Sequence, residues 1–135
     1  MENKKLIEEA MKAREFSYSP YSNFKVGAAL LAKNGKVYTG CNIENAAFTP
    51  TNCAERTAFF KAVSEGVTEF EKIVIVAGKD AIEDYTAPCG VCRQVMMEFC
   101  NPSKFMVIMA KTPEDYKEMT LEEVMPMGFG PTNIE

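Results

Sequence analysis

The sequence predicts an α/β protein, a three-layer α/β/α sandwich built around a mixed five-stranded sheet. A hairpin signal comes early in the chain, and two helical segments follow it, each succeeded by an unbroken apolar run of strand length. Strand–helix–strand units require parallel pairing with right-handed crossovers, whereas a hairpin pairs antiparallel, so the sheet must be mixed. The length of 135 residues suffices for one domain with a substantial core, and we expect a single domain over residues 1–135.

The N-terminal segment combines an amphipathic helix with a loop. Apolar residues recur at helical spacing over residues 3–16, with lysine and glutamate between them. The segment 17–23 is rich in serine and tyrosine, and Pro20 disfavours helical backbone at the residue before it. We therefore expect a helix that packs on the sheet, followed by an irregular connection.

The segment 25–41 predicts the first two strands. Valine, alanine and leucine dominate 25–33, and a second strand-like run covers 36–41. Asn34-Gly35 lies between them and favours a hairpin with a tight primed turn, in which both central residues have positive φ. The exit from this hairpin, 42–45, is polar, which is equally consistent with a ligand site and with a solvated loop.

The second half of the chain alternates between helices and buried strands. One helix is predicted after Asn52, a residue favoured at the N-cap, and Gly66 can end it. Continuous apolar runs typical of strands buried on both faces occur twice, and Pro88 introduces a helix between them. The predicted elements are helix 53–63, strand 72–78, helix 90–99, strand 105–110, edge strand 113–120 and helix 121–125.

Charge and composition restrict the partners of this chain. A net charge of −4 without a basic stripe argues against nucleic-acid binding through phosphate contacts and against an anionic membrane surface. A pocket for a free nucleoside needs little net charge and stays compatible with this composition. Neither a secretory signal nor an apolar run of membrane-spanning length is visible. Five cysteines, two of them in a Cys-x-x-Cys pair, indicate a reducing cytoplasm and metal or redox chemistry.

Two short motifs supply three thiols and one carboxylate to one predicted site. They are Cys53-Ala54-Glu55 and Cys89-Gly90-Val91-Cys92, each at the start of a predicted helix, where unpaired N–H groups favour thiolates. The chain has no histidine, so a closed four-ligand zinc site would need Cys41 or Cys100. Neither has a metal-like spacing, and burial is the expectation for both. Three thiols beside a glutamate therefore predict a catalytic zinc site with one open position.

Glu55 and Arg56 complete the predicted metal site. A glutamate beside the metal can take a proton from metal-bound water and deliver it elsewhere, although a glutamate that merely favours the helix dipole is common. Arg56 is expected to hydrogen-bond a thiolate and so offset the negative charge of zinc with three thiolates. The plain alternative is that Arg56 forms a surface ion pair.

Two alternatives to a catalytic zinc site exist for the cysteines. A thioredoxin-like redox pair leaves Cys53-Ala54-Glu55 without a role, and a structural zinc module lacks a fourth ligand.

The chain resembles the zinc-dependent nucleoside deaminases, and in particular the small homotetrameric cytidine deaminases, from about Ser17 to Pro131. Four motifs in the family's order carry the resemblance. They are Phe24–Ala29, Gly40–Ala46, Cys53–Ala58 and Pro88–Gln94. The resemblance implies a cytidine deaminase-like fold and hydrolytic deamination of cytidine and 2′-deoxycytidine to uridine and 2′-deoxyuridine, with release of ammonia, in pyrimidine salvage. It also implies that Zn²⁺ is bound by Cys53, Cys89 and Cys92.

The resemblance further implies which residues transfer protons and which bind the substrate. Glu55 is expected to be the proton shuttle for a zinc-bound hydroxide that adds to C4. Phe24 is expected to stack on the base, and Asn42 and Glu44 to bind the ribose hydroxyls. Backbone groups of Ala54 and Cys89 are expected to read the pyrimidine edge.

Phe129 resembles an aromatic residue that a neighbouring subunit lends to the pocket, which implies a homotetramer with composite active sites. Two positions depart from the family pattern, since Phe48 replaces a common tyrosine and Ala87 a frequent serine. Two alternatives to cytidine deamination stay open. One is deamination of another cytosine nucleoside such as blasticidin S, and the other is a non-catalytic, zinc-stabilised nucleoside-binding protein.

Overall fold

The structure, a computed structural model that describes residues 1–135, alternates between helices and strands along most of the chain. Its elements are α1 (Asn3–Arg14), β1 (Lys25–Ala32), β2 (Val37–Cys41), α2 (Ala54–Ser64), β3 (Phe70–Gly78), α3 (Gly90–Phe99), β4 (Met106–Thr112), β5 (Asp115–Thr120) and α4 (Leu121–Val124). The strands form one sheet in the order β2-β1-β3-β4-β5. β3 and β4 are parallel and the other neighbours antiparallel, so the predicted mixed five-stranded sheet is confirmed.

Helices cover both faces of the sheet and create two separate apolar cores. On one face, α1 buries Leu6, Ile7 and Ala10 against Val74 and Ile108. On the other face, α2, α3 and α4 pack against strand residues that alternate in sequence with those of the first core, as side chains of a strand point to opposite faces. These residues are Ala28, Leu30, Ile73, Ile75 and Val107. The three-layer α/β/α arrangement is therefore confirmed.

The hairpin between β1 and β2 is confirmed, but its predicted primed turn is wrong. The Ala32 N–H donates to the Lys36 carbonyl at 3.0 Å, which leaves a three-residue loop over 33–35. Only Gly35 has positive φ, +89°, and its N–H donates to the Ala32 carbonyl. A turn that ends in a left-handed glycine is the usual three-residue hairpin connection. Asn34 does not have the positive φ that a primed turn requires, and it stabilises the loop through its side chain, which accepts a hydrogen bond from the Lys36 N–H at 2.8 Å.

The helix that follows the hairpin begins one residue later than predicted. Ala54 is its first residue and Cys53 its N-cap, so the prediction of Asn52 as the cap is wrong. Asn52 is held instead by an isolated antiparallel bridge with Ile43, which keeps it extended. Cys89 likewise stands at the N-cap of α3 rather than in its first turn. Both residues project their thiols from helix N-termini, although not from the first turns that the sequence suggested.

Most other ends of helices and strands agree with the predictions to within two residues. Helix α1 ends at Arg14 rather than at residue 16, and β3 begins at Phe70 rather than at residue 72. The edge strand β5 begins at Asp115 rather than at residue 113. None of the helices combines the length and the apolar character that crossing a bilayer requires.

Candidate active site

The two cysteine motifs meet where α2 and α3 begin. Cys53 caps α2, Cys89 caps α3, and Cys92 is the third residue of α3. The Sγ atoms of Cys53 and Cys89 lie 3.7 Å apart, and those of Cys89 and Cys92 lie 3.4 Å apart. All three sulfur atoms lie within 4.8 Å of one another. Two helix N-termini, each with a partial positive charge, therefore converge on one cluster of thiols.

The three thiols fit a zinc ion. A tetrahedral site with zinc–sulfur bonds of about 2.3 Å places neighbouring sulfur atoms ~3.8 Å apart, close to the spacings in this cluster. The same spacings are far too long for a disulfide, whose sulfur atoms lie about 2 Å apart. Cys41 and Cys100 are free thiols outside the cluster, so no fourth cysteine completes the site. Three thiols without a fourth protein ligand match a catalytic rather than a structural zinc site.

The two remaining cysteines differ in burial. Cys100 is 9% exposed and belongs to the core beneath α2 and α3, as expected. Cys41 is only half-buried, so the expectation of burial is wrong for this thiol. Burial raises the pKa of both thiols, which keeps them protonated and poor metal ligands at neutral pH.

Arg56 directs its guanidinium at the thiol cluster. Its Nη2 donates to Cys53 Sγ at 3.2 Å, while its Nε is buried without a partner. The hydrogen bond from Cys92 is the main cause that lowers the pKa of Cys53, and Arg56 acts in the same direction. A buried N–H without a partner, on a guanidinium that already bonds one of the thiols, is suited to a cluster of thiolates, because a thiolate can accept several hydrogen bonds. Arg56 is therefore placed to offset the negative charge that zinc with three thiolates would carry.

Glu55 is the second residue of α2 and is almost completely enclosed. It is 4% exposed, and burial raises the pKa of its carboxyl to about 7, with the nearby Cys53 acting in the same direction. A carboxyl with a pKa near neutrality can both accept and donate a proton at the pH of a cell. The side chain borders the same cavity as Cys53 and Cys89. The fold thus places one proton-transfer group beside the thiols.

A cavity of about 290 Å³ lies over the thiol cluster. Its wall includes Cys53, Glu55 and Cys89 together with the predicted substrate residues Phe24, Asn42 and Glu44. These residues come from the loop before β1, the exit of β2 and the starts of α2 and α3. The volume is at the lower end of the range for small-molecule sites. Five of the six predicted substrate-binding residues lie on or directly beside this wall, with Ala54 buried between Cys53 and Glu55.

Asn42 is buried and already makes several hydrogen bonds within the chain. Its Nδ2 donates to the Phe24 carbonyl at 2.7 Å, and its Oδ1 accepts from the Val26 N–H at 3.0 Å and from the Ser17 hydroxyl. This side chain therefore fixes the backbone on both sides of Lys25 and, with it, the position of Phe24. One Nδ2 hydrogen stays available for a ligand, since an amide carries two.

Glu44, which lines the cavity, is held in place by the loop before β1. One of its carboxylate oxygens accepts from the N–H groups of Tyr21 and Ser22 at 2.9 and 3.2 Å, and the other accepts from the Ser22 hydroxyl. The Ser22 hydroxyl is the main cause that lowers the pKa of Glu44. The carboxylate is therefore fixed in orientation and charged.

Phe129 is the one predicted substrate residue that the structure does not bring to the cavity of its own chain. Its carbonyl accepts from Gln94 Nε2 at 2.8 Å on α3, and its side chain is 57% exposed. This hydrogen bond fixes the backbone of the C-terminal segment, residues 125–135, at Phe129, while the residue itself stays exposed. Sequence reasoning gave no role to Ser22, which bonds Glu44, to Thr86, which lines the cavity, or to Gln94. No motif marks Ser22 or Thr86, whereas Gln94 lies in the motif Pro88–Gln94.

The fold and the site together define a class of protein. Thiols gathered at two helix N-termini, next to a buried glutamate in a small cavity, define a zinc-dependent hydrolytic deaminase. The model for the cytidine and deoxycytidylate deaminase zinc-binding region matches residues 1–109 of this chain. The chain belongs to the cytidine and deoxycytidylate deaminase family.

Individual relatives agree with this assignment. The chain is 51% identical to a cytidine deaminase of Sporosarcina psychrophila, over 99% of its own length and 96% of the relative's. It is 49% identical to a cytidine deaminase of Halalkalibacterium halodurans, over 96% and 95% of the two chains. The crystal structure of a cytidine deaminase from Burkholderia pseudomallei superposes with a TM-score of 0.86 at 44% identity, covering 96% of this chain and all of that one.

Proposed function

We propose that the protein hydrolytically deaminates cytidine and 2′-deoxycytidine to uridine and 2′-deoxyuridine, releasing ammonia, in pyrimidine salvage. The observation that carries this proposal is the meeting of three thiols, the Glu55 carboxyl and the polar residues that follow β2 around one cavity. The family, and relatives that are named cytidine deaminases, support the same reaction. Zinc, when bound by Cys53, Cys89 and Cys92, supplies a water of lowered pKa as the nucleophile.

Glu55 moves the protons of this reaction. Its carboxylate accepts a proton from the attacking water as the oxygen bonds to C4, and it donates that proton to ring N3. It then takes the proton of the new hydroxyl group and delivers it to the amino nitrogen, so that the C4–N bond breaks and ammonia leaves. The burial of Glu55 and its pKa of about 7 support this role, because both protonation states are accessible near neutral pH.

Arg56 supports the metal site without touching the substrate. Its hydrogen bond to Cys53 Sγ, at 3.2 Å, draws electron density away from the thiolate. A site with three thiolates and no such donor would be electron-rich and less able to acidify water. The guanidinium is permanently charged, so this effect does not depend on pH.

The cavity walls bind the nucleoside. Phe24 stacks on the pyrimidine, and its position is fixed through Asn42. Asn42 and Glu44 bind the ribose hydroxyls, since one offers a free amide hydrogen and the other a fixed carboxylate with one oxygen that accepts only a single hydrogen bond within the chain. The backbone groups of Cys89 and of Ala54, the residue after Cys53, hydrogen-bond the polar edge of the base.

The active subunit, a single domain over residues 1–135, assembles into a homotetramer with composite sites. Several large aromatic residues are exposed in a single chain and are accessible to a neighbouring subunit. They include Phe16 at 78%, Phe48 at 70%, Phe60 at 47% and Phe129 at 57% exposure. Phe129 projects away from its own cavity while Gln94 fixes its carbonyl, which supports its insertion into the cavity of a neighbouring subunit.

A turnover assay with zinc-loaded protein tests this function. Cytidine, 2′-deoxycytidine and blasticidin S are supplied side by side, and the fall in absorbance near the cytosine band is followed together with ammonia release. Turnover of cytidine and 2′-deoxycytidine with one ammonia per nucleoside is the expected result. Failure of zinc-loaded protein to turn over either nucleoside, or efficient turnover of blasticidin S alone, would reject the proposal.

A further inference from the structure

Arg93 follows Cys92 directly in α3 and joins two distant parts of the backbone. Its Nε donates to the Pro88 carbonyl at 2.7 Å, and its Nη1 donates to the carbonyl of Val124, 31 residues further along the chain. The Pro88 carbonyl immediately precedes Cys89, and Val124 is the last residue of α4. One side chain therefore connects the metal-binding turn to the start of the C-terminal segment.

Neither carbonyl has a backbone donor. Pro88 precedes the N-cap residue Cys89, so its carbonyl lies before the first carbonyl that accepts a hydrogen bond from the helix backbone. The Cys92 N–H, one of the unpaired N–H groups of the first turn, is directed at the capping Cys89 Sγ at 3.5 Å, and the Pro88 carbonyl accepts from Arg93. The Val124 carbonyl is one of the terminal carbonyls that a helix cannot satisfy internally. Because Pro88 is buried, removing Arg93 would leave its carbonyl without a hydrogen bond.

We propose that Arg93 is a positioning residue for Cys89. The peptide unit between Pro88 and Cys89 is planar, so a hydrogen bond that fixes the Pro88 carbonyl also fixes the Cys89 N–H. The same unit sets the direction from which the Cys89 thiol enters the cluster. This role rests on Cys89 being a zinc ligand in the proposed function. Arg93 thus acts on zinc retention through Cys89, without contacting zinc or substrate.

The chemistry of the side chain explains why arginine is required. A guanidinium presents several N–H groups in a rigid fork, so one arginine can bond two carbonyls in different directions. A lysine has a single ammonium on a flexible stem and cannot reproduce this geometry. The next residue, Gln94, offers a matched comparison, because its side chain donates to the Phe129 carbonyl and makes no hydrogen bond to Pro88.

The test compares zinc release from the wild-type protein and three variants, Arg93→Met, Arg93→Lys and Gln94→Leu. Zinc-loaded protein is mixed with an excess of a chromogenic chelator, and thermal unfolding is recorded with and without zinc. Mutation of residues that hold metal ligands in place through hydrogen bonds typically weakens metal affinity by about 10- to 100-fold. We expect release from Arg93→Met to accelerate by about that factor, with incomplete rescue in Arg93→Lys. Gln94→Leu is expected to release zinc at the wild-type rate.

Three outcomes would overturn the proposal. Release from both Arg93 variants at the wild-type rate, with equal loss of thermal stability in the zinc-loaded and zinc-free forms, would show a purely structural role. Equal acceleration in Gln94→Leu would assign the effect to the C-terminal segment. Full rescue by Arg93→Lys would show that charge alone suffices. If Arg93→Met does not fold, Arg93→Lys decides, because it keeps the charge and the aliphatic stem. A wild-type protein that binds no zinc would instead reject the proposed function itself.

Discussion

The Sγ atoms of Cys53 and Cys89 lie 3.7 Å apart, although 36 residues separate them in the chain. Helix α2, strand β3 and the loop that follows β3 span this separation, so the contact depends on how both helices pack on the sheet. Each cysteine caps a helix, and both helices pack on the same face of the sheet. The sheet thus brings two helix N-termini together, and the thiols approach as a consequence of that packing.

Replacing Glu55 by glutamine tests its role in proton transfer. The variant keeps the size and hydrogen-bonding capacity of the side chain but cannot accept a proton. We expect kcat to fall by about 10²- to 10⁴-fold, the usual contribution of general acid–base catalysis. Zinc content and the circular dichroism spectrum should match those of the wild type. Substantial residual turnover in a zinc-loaded, folded variant would show that another group carries the protons.

Replacing Glu44 by glutamine tests ribose recognition. We expect KM for cytidine to rise by about 10- to 100-fold, because hydrogen bonds to a charged acceptor contribute about 1.5–3 kcal/mol. The comparison substrate is 2′,3′-dideoxycytidine, which lacks both hydroxyls and should be almost insensitive to the substitution. Equal losses for the two substrates would show that Glu44 serves only to hold the loop before β1.

The pH dependence of KM follows from the hydrogen bonds that Glu44 accepts. These bonds, above all the one from Ser22, lower its pKa below the ordinary value of 4.5. Because the pKa is lowered, Glu44 stays charged as the pH falls and becomes protonated only below about pH 4.5. We therefore expect the contribution of Glu44, measured as the KM ratio of wild type to Glu44→Gln, to stay constant from neutral pH down to about pH 5. A ratio that collapses within this window would contradict the assignment.

The proposed composite site predicts complementation between two inactive variants. In that proposal, Phe129→Ala removes the aromatic ring that one subunit lends, whereas Glu55→Gln inactivates the cavity that receives it. Mixed oligomers, formed by co-expression, contain some sites with an intact Glu55 and a Phe129 from the partner subunit. We expect activity to exceed that of either variant alone. Activity no higher than the sum of the two separate variants would show that Phe129 does not act between subunits.

The unpaired cysteines predict a labelling pattern. Burial raises the pKa of Cys100, and the residue is 9% exposed, so its thiolate is both scarce and shielded. Mass spectrometry after treatment of native, zinc-loaded protein with iodoacetamide should find Cys100 unmodified, while Cys41, which is half-buried, should react slowly. Denatured protein, in which all five cysteines are accessible, is the control. Rapid modification of Cys100 in the native state would require local opening of the core.

The layers of the fold could be predicted from the sequence because periodicity reports burial directly. The apolar run within Phe70–Gly78 has partners on both faces, as its continuous hydrophobicity indicates. The hairpin turn was predicted incorrectly because Asn34-Gly35 fits both a two-residue and a three-residue loop, and the strand register decides between them. The cap of α2 was missed because Asn52 is held by Ile43, a contact that no local pattern reveals.

In the site, likewise, the motifs could be predicted from the sequence, whereas contacts between residues far apart in the chain could not. The spacing of Cys53, Glu55, Cys89 and Cys92 predicted a single site, and the thiols are indeed clustered. The hydrogen bonds that join Asn42 to Phe24 and Val26 could not be anticipated, because these partners lie 18 and 16 residues earlier in the chain and meet Asn42 only through the pairing of β1 with β2. The contact from Arg93 to α4 is equally distant in sequence.

The most direct test of the account is X-ray absorption spectroscopy at the zinc edge of the purified protein, because it counts the neighbours of the metal. We predict one zinc per chain with three sulfur neighbours at about 2.3 Å and one lighter neighbour at about 2.0 Å. A fourth sulfur neighbour would mean that a cysteine outside the cluster closes the site. That result, or a zinc-free protein that deaminates cytidine at full rate, would contradict a catalytic site built from Cys53, Cys89 and Cys92.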